Sequence, residues 1–129
     1  MPRRSPGTPP PAACRLPCGR RSRSLFLRGT VWEYHFEPGA PPKPALVVSN
    51  NGRNRSRWPV VHVVRISTAP KAPRQTIVEL PAGESFAGRV ICDDLAPVPK
   101  SALGRQLGAL SPETMRRVDA ALRQVLALR

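Results

Sequence analysis

The sequence predicts a mainly β fold, a β-rich α+β domain in which a small barrel or rolled sheet is followed by one C-terminal amphipathic helix. Two observations support this fold class. Short segments of strand-type composition follow one another closely between Gly- and Pro-containing turns, which is typical of small barrels. From residue 111 onward the apolar residues recur with helical spacing instead.

The first predicted strand, residues 30–36, has a clear period of two. Its aromatic residues Trp32, Tyr34 and Phe36 alternate with Glu33 and His35, which predicts a half-buried strand with one polar face. The second strand, residues 45–49, is apolar without interruption, so we expect it to be buried on both sides. The other predicted strands are 60–66, 76–80, 89–93 and 104–110, while 50–57 is predicted to be a turn and 67–75 a loop.

The end of the chain is predicted to be a helix. Ser111 suits the N-cap, Pro112 the first helical position, and Glu113 the positive end of the helix dipole. Five apolar residues then fall on one stripe: Met115, Val118, Leu122, Val125 and Leu126. The stripe predicts a helix that covers the sheet or a partner subunit.

Length and charge restrict the class of protein. A chain of 129 residues is most simply one domain, and a net charge of +13 indicates a polyanionic partner. Six of the 21 lysines and arginines lie in residues 1–24, with six prolines and no acidic residue. We therefore predict that 1–24 is a disordered, basic extension and that 25–129 is the folded domain. The folded domain is still basic without the extension.

Export and membrane insertion are not expected. Arg28 and Glu33 interrupt the apolar residues that follow the paired arginines, and no run approaches the ~18 residues of a membrane span. The cysteines Cys14, Cys18 and Cys92 neither close a disulfide framework nor complete a tetrahedral metal set. We interpret them as free thiols of a cytoplasmic protein.

Lys43 is held between two prolines at the start of an apolar strand. Proline fixes its own backbone angle and restricts the residue before it, so Pro42 and Pro44 limit the directions in which Lys43 points. On residue type alone, such a lysine is most often a solvated cation at a strand edge. The alternative is a cation fixed for chemistry.

Five strings in order resemble the MazF/PemK toxins, the sequence-specific mRNA interferases of bacterial toxin–antitoxin pairs. The strings are "RGTVW", "KPALVVSNNGRNRS", "VVRIST", "VICDD" and "ALGRQLGALSPETMRRVDAALRQVLAL", which together span residues 28–128. The resemblance implies an SH3-like, CcdB/PemK-like barrel that forms a homodimer and binds a MazE-like antitoxin. It also implies cleavage of single-stranded mRNA without metal or cofactor, in which the ribose 2′-hydroxyl attacks the neighbouring phosphate to leave a 2′,3′-cyclic phosphate and a 5′-hydroxyl.

The resemblance assigns catalytic roles to four residues. Lys43 stands where the family has a phosphate-binding arginine, which keeps the charge and loses the planar fork. Ser67 corresponds to the family's hydroxyl at the end of the third strand, with Thr68 as the alternate alignment. Asp93 matches the acid of the fourth string, although Ile91 replaces the arginine that precedes it in the family. Glu37 is one of the nearest titratable groups in a shortened first loop.

The predicted RNA contacts are amides and cations around these positions. Proteins read single-stranded RNA by bonding its base edges and by stacking on its bases. The residues expected to do so are Asn50, Asn51, Asn54, Arg53, Arg65, Thr68 and His35. A lone strand histidine is more often structural than catalytic. Trp58 suits base stacking, a core position or a dimer interface.

Two other functions remain compatible with this sequence. A related toxin family with the same barrel poisons DNA gyrase and does not cut RNA. A basic RNA-binding module without cleavage would also explain the departures at Lys43 and Ile91.

Overall fold

The computed structural model describes residues 26–128. The predicted extension, with Cys14 and Cys18, lies outside these described residues. The elements are β1 (Thr30–Tyr34), β2 (Lys43–Val47), a short helix α1 (Asn51–Arg55), β3 (Val60–Ser67), β4 (Ile77–Glu79), β5 (Arg89–Pro99), a 3-10 turn (Lys100–Ala102), β6 (Gln106–Ala109) and α2 (Pro112–Leu126). No helix within the described residues is both long enough and apolar enough to cross a bilayer.

The strands form one six-stranded antiparallel sheet in the order β4-β5-β3-β2-β1-β6. The predicted β-rich fold with a C-terminal helix is confirmed. Antiparallel neighbours joined by short loops explain why the strand signals follow one another so closely along the chain.

Both faces of the sheet bury apolar residues. On one face, Val31, Leu46 and Val64 pack with helix α2 in what we call the helix-side core. On the other face, Trp32 and Val63 belong to a second cluster, the outer core, against which Tyr34 and Phe36 also pack. The predicted aromatic face of the first strand therefore exists. The strand is more deeply buried than predicted, because Val31 is fully covered on the reverse face.

Strand β2 lies in the middle of the sheet and is buried on both sides, as predicted. Ala45, Leu46 and Val47 have no exposed surface. Only its first residue, Lys43, is exposed, since the strand begins at the rim of the sheet.

Helix α2 begins as the sequence predicts. Ser111 is the N-cap, and its hydroxyl accepts from the Thr114 N–H at 3.2 Å. Met115, Val118 and Ala121 are buried against the sheet. Leu126, at the end of the predicted stripe, is 50% exposed, so the helix projects beyond the sheet in its last turn.

Two segments differ from the prediction. Residues 51–55, within the predicted turn, form a short helix, and the Asn50 side chain caps it by accepting from the Arg53 N–H at 2.8 Å. Strand β5 continues to Pro99, well past the predicted end at 93. Pro97 and Pro99 are two residues apart, so their backbone nitrogens face the same side of the strand, away from β3. Because proline has no N–H to donate, this orientation means that no hydrogen bond to β3 is lost.

Candidate active site

A cleft of about 700 Å³ lies where β2 begins and β3 ends. The β2–β3 register pairs Ala45 with Arg65. Continuing that antiparallel register by two residues sets Lys43 opposite Ser67. Strand alternation also places Arg65 and Ser67 on the same face of β3. All three side chains line the cleft.

The segments beyond these strands complete the walls of the cleft. Glu37 comes from the β1–β2 loop and Lys71 from the β3–β4 loop, whereas Ser85, Phe86 and Ala87 come from the β4–β5 loop. Among the described residues that line the cleft, Glu37 is the only carboxylate, against the three cations Lys43, Arg65 and Lys71. The cleft is therefore electropositive and suited to an anionic ligand.

Ser67 presents a hydroxyl whose proton is available. Its Oγ accepts from the Ala69 N–H at 3.1 Å, which orients the side chain at the end of β3. A hydroxyl that accepts one hydrogen bond can still donate another. Within the described residues Ser67 donates to no protein acceptor, so the donation can go to a ligand in the cleft.

Arg65 is held by an aromatic ring on one side and by a carboxylate on the other. Its guanidinium carbon lies 4.9 Å from the Phe36 ring centre, and its Nε lies 3.6 Å from Asp94 Oδ2. That separation is too long for a hydrogen bond, and the buried Nε has no hydrogen-bond partner among the described residues. The side chain is thus held between two neighbours. Its terminal NH2 groups, which make no hydrogen bond to the described residues, remain as the donors for a ligand.

Asp93 does not reach the cleft. It is exposed, and its Oδ2 accepts from the Thr76 hydroxyl at 2.6 Å. The carboxylate that faces an arginine is Asp94, one residue later. The β3–β5 register shifts between Val63 and Arg65, and both aspartates lie in the part of β5 opposite this irregularity. Asp93 was predicted from the family resemblance, which does not specify how the chain bends there. Asp93 therefore has no place in the catalytic site that we propose below.

Asn50, Asn51 and Asn54 follow the far end of β2 from Lys43, and they form hydrogen bonds to neighbouring segments of the chain. Asn54 has no exposed surface, and its amide donates to the Ser49 carbonyl at 2.9 Å. Asn51 accepts from the Arg28 N–H at 2.7 Å. Seven residues of extended chain separate Lys43 from Asn50, roughly 20 Å. Asn54 is buried and cannot contact RNA, so we assign it a structural role. Asn50 and Asn51 remain predicted contacts only for an RNA long enough to reach from the cleft to the opposite end of β2.

Three further predicted contacts occupy different positions. Thr68 lines the cleft and is exposed. Arg53 lies over the exposed Trp58 ring, 5.0 Å from its centre, outside the cleft. His35 Nδ1 lies 3.0 Å from the Ala40 carbonyl oxygen, a contact that closes the β1–β2 loop. His35 thus supports the loop that carries Glu37.

Cys92 lies in β5, and its side chain is buried in the helix-side core. Burial, with a smaller contribution from the Asp93 carboxylate, raises the pKa of the Cys92 thiol to about 12. The thiol therefore stays protonated, and we expect it to be chemically inert.

Residues 27–126 match the model of the PemK-like, MazF-like toxins of type II toxin–antitoxin systems. The chain belongs to this toxin family. It is 37% identical over 102 residues to Endoribonuclease MazF4 of Mycobacterium tuberculosis and to Endoribonuclease MazF1 of Mycobacterium bovis, covering 79% of this chain and 93% of each relative.

Solved structures of the PemK/MazF-like toxins have the same fold. A mycobacterial endoribonuclease in complex with its cognate antitoxin superposes with a TM-score of 0.72 at 35% identity, covering 80% of this chain and 96% of that one. Another solved structure, of a mycobacterial endoribonuclease described without an antitoxin, gives a TM-score of 0.71 at 34% identity, covering 79% of this chain and 91% of that one.

Sequence reasoning missed Arg89, which supports one wall of the cleft of this PemK/MazF-like toxin. Arg89 pairs with Ser67 across β3 and β5, donates to the Ala69 carbonyl, and is bound to Glu79 at 2.9 Å. The Glu79 hydrogen bond raises the pKa of Arg89 and the same bond lowers the pKa of Glu79. Arg89 therefore braces the backbone just after Ser67. Arg89 lies opposite Ser67 because of the register between β3 and β5, and the sequence alone did not predict that register.

Proposed function

We propose that this protein cleaves single-stranded mRNA at a short recognition sequence, without metal, by attack of a ribose 2′-hydroxyl on the adjacent phosphate. Its family and its 37% identity to named endoribonucleases make it an endoribonuclease toxin of a toxin–antitoxin system. The proposal adds the chemistry: the products carry a 2′,3′-cyclic phosphate and a 5′-hydroxyl.

The single observation that supports this chemistry is that Lys43, Arg65 and Ser67 line one electropositive cleft. In such a cleavage, negative charge grows on the phosphate oxygens as the pentacovalent transition state forms. Fixed cations and a hydroxyl donor aimed at those oxygens stabilise that charge more than they stabilise the ground state. This is the role that we assign to the three side chains.

Proton transfer completes the mechanism. We assign Glu37 as the base that takes the 2′-hydroxyl proton, because it is the carboxylate among the described cleft residues. The 2′-oxygen then bonds to phosphorus while the bond from phosphorus to the 5′-oxygen breaks. Lys43 donates a proton to the departing 5′-oxygen, since an ammonium group can serve as an acid where an arginine cannot.

The partners in this proposal are single-stranded RNA, a second copy of the chain and a MazE-like antitoxin. The antitoxin is supported by the homologous mycobacterial structure, which is described as a complex with its cognate antitoxin. We propose that an acidic segment of the antitoxin enters the same cleft, because the cations Lys43, Arg65 and Lys71 attract carboxylates as they attract phosphates. The cytoplasm is the proposed site of action.

The test is incubation of the full-length protein with a long defined transcript in EDTA, followed by mapping of the ends. We expect discrete fragments with 5′-hydroxyl ends, and a weaker pattern with Ser67→Ala. Intact RNA that is nevertheless retained on a gel would replace cleavage with RNA binding. Intact, unbound RNA together with inhibition of gyrase would support the gyrase-poison alternative.

A further inference from the structure

The β4–β5 loop, residues 80–88, forms a wall of the cleft that the sequence did not predict. Ser85, Phe86 and Ala87 line the cleft together with the catalytic candidates, although they lie about 20 residues away in sequence from Ser67. Three separate contacts fix this loop to the rest of the domain, and each lies next to the segment that faces the cleft.

The first contact is a carboxylate bound at the start of helix α2. Glu84 Oε2 accepts from the Ser111 hydroxyl at 2.6 Å and from the Ser111 N–H at 3.2 Å, and it also accepts from the Thr114 hydroxyl. Burial alone would raise the pKa of Glu84, but these hydrogen bonds together outweigh it and hold the pKa below its usual value. Glu84 is therefore an ionised anchor of the loop.

The second and third contacts are steric. The Phe86 ring lies so close to β6 that a Cβ atom on Gly108 would be 3.1 Å from its Cζ atom. At the end of the loop, Gly88 has a φ of +108°, and a Cβ there would lie 2.3 Å from the Ser67 carbonyl oxygen. The loop is thus packed against the backbone of Ser67 itself.

One group on this wall has no protein partner. Ser85 is exposed, lines the cleft, and its hydroxyl makes no hydrogen bond to the described residues. A hydroxyl offers one donor and two acceptor positions, which suits the edge of an unpaired base. Glu84 precedes it directly, so the anchor holds the backbone that carries Ser85 at the wall of the cleft.

We propose that the β4–β5 loop selects the base next to the cleaved phosphate, that Ser85 contacts this base, and that Glu84 is a positioning residue for the contact. The proposal rests on the proposed ribonuclease function. It concerns the choice of sequence, whereas Lys43, Ser67 and Glu37 perform the cleavage.

The experiment compares Glu84→Gln with Glu113→Gln in the full-length protein. Glu113 is an exposed carboxylate in the first turn of α2, and its side chain makes no hydrogen bond or ion pair to the described residues. Both variants remove one negative charge at the same helix end, but only Glu84→Gln weakens the loop anchor. Cleavage kinetics, cleavage-site mapping and thermal unfolding are measured for each.

We expect Glu84→Gln to raise KM about tenfold with kcat changed by less than about twofold, because the loop contacts substrate equally before and during the reaction. Cleavage should also spread to sites that differ from the preferred sequence at one position. Glu113→Gln should match the wild type. Ser85→Ala, which removes an exposed hydroxyl and does not threaten the fold, should relax the preference at the same position as Glu84→Gln.

Binding to 2′-O-methyl RNA oligonucleotides that tile the transcript separates this inference from the proposed function, since such RNA cannot be cut. A wild type that cuts, with Glu84→Gln and Ser85→Ala unchanged in KM and site preference, overturns the inference and leaves the ribonuclease function intact. A wild type that does not cut, but whose sequence-selective binding is lost in both variants, overturns cleavage and supports the inference. Equal behaviour of Glu84→Gln and Glu113→Gln overturns the positioning role.

Discussion

At the scale of single residues, one of the positive charges of the cleft comes from Lys43, where the family resemblance implies an arginine. Lys43 is exposed and lies at the first position of β2, between two prolines, so its loss removes a charge from the cleft and little packing. Charge at a developing oxyanion is worth far more in a cleft than on an open surface. Its contribution should therefore appear in the rate and not in the stability.

We predict that Lys43→Ala lowers kcat/KM by a factor of about 10² to 10³. The free energy of unfolding should change by no more than about 0.5 kcal/mol, since the side chain is exposed. Cleavage rates on a defined transcript and urea unfolding measure the two quantities. Lys71→Ala, which removes another cleft cation, is the control and should cost much less activity. Unchanged turnover in Lys43→Ala would remove our catalytic assignment.

At the scale of elements, the end of β3 and the β4–β5 loop act as one unit because Gly88 touches the Ser67 backbone. The positive φ of Gly88 and the missing Cβ are both required for this approach. Arg89, the next residue, begins β5 and binds the Ala69 carbonyl. The backbone around Ser67, the proposed catalytic residue, is therefore contacted by a loop residue, Gly88, and by the first residue of β5, Arg89.

We predict that Gly88→Ala destabilises the protein by about 1–3 kcal/mol and reduces cleavage, because the new Cβ forces Ser67 to move. Gly83→Ala is a matched control in the same loop, where a Cβ would meet no atom within 4 Å. That variant should keep wild-type stability and activity. Urea unfolding and initial cleavage rates decide the comparison, and equal behaviour of the two variants would contradict the proposed dependence of Ser67 on Gly88.

The same elements show how far sequence reasoning could go. The family resemblance assigned Lys43 and Ser67 to the site, and alternation along the strand places Arg65 on the same face as Ser67. The prolines around Lys43 did not by themselves distinguish a catalytic cation from a solvated one. Asp94 was missed because the family resemblance assigned the acid to Asp93, and the irregular β3–β5 register in which both residues lie cannot be read from the sequence. The bond between Glu84 and Ser111 joins residues 27 positions apart, and no local pattern encodes such a contact.

At the scale of the whole molecule, the net charge is +13. RNA could be attracted by this total charge or bound by the particular cations of the cleft. The described cleft contributes the three cations Lys43, Arg65 and Lys71. Helix α2 carries other cations, including the exposed Arg123, but its buried side packs on the sheet face opposite the outer core. The affinity of a ligand held in the cleft should depend on the cleft cations and not on the cations of helix α2.

We predict that binding of uncleavable 2′-O-methyl RNA weakens with salt, and that Lys71→Ala reduces the slope of log Kd against log salt by about 0.7, the value for one phosphate contact with a single strand. Arg123→Ala removes the same charge from the molecule and should leave the slope unchanged. Fluorescence anisotropy across a salt series at fixed pH measures both. An equal reduction in the two variants would mean that RNA senses the net charge of the protein, in which case the cleft could not be the surface that orients the strand for cleavage.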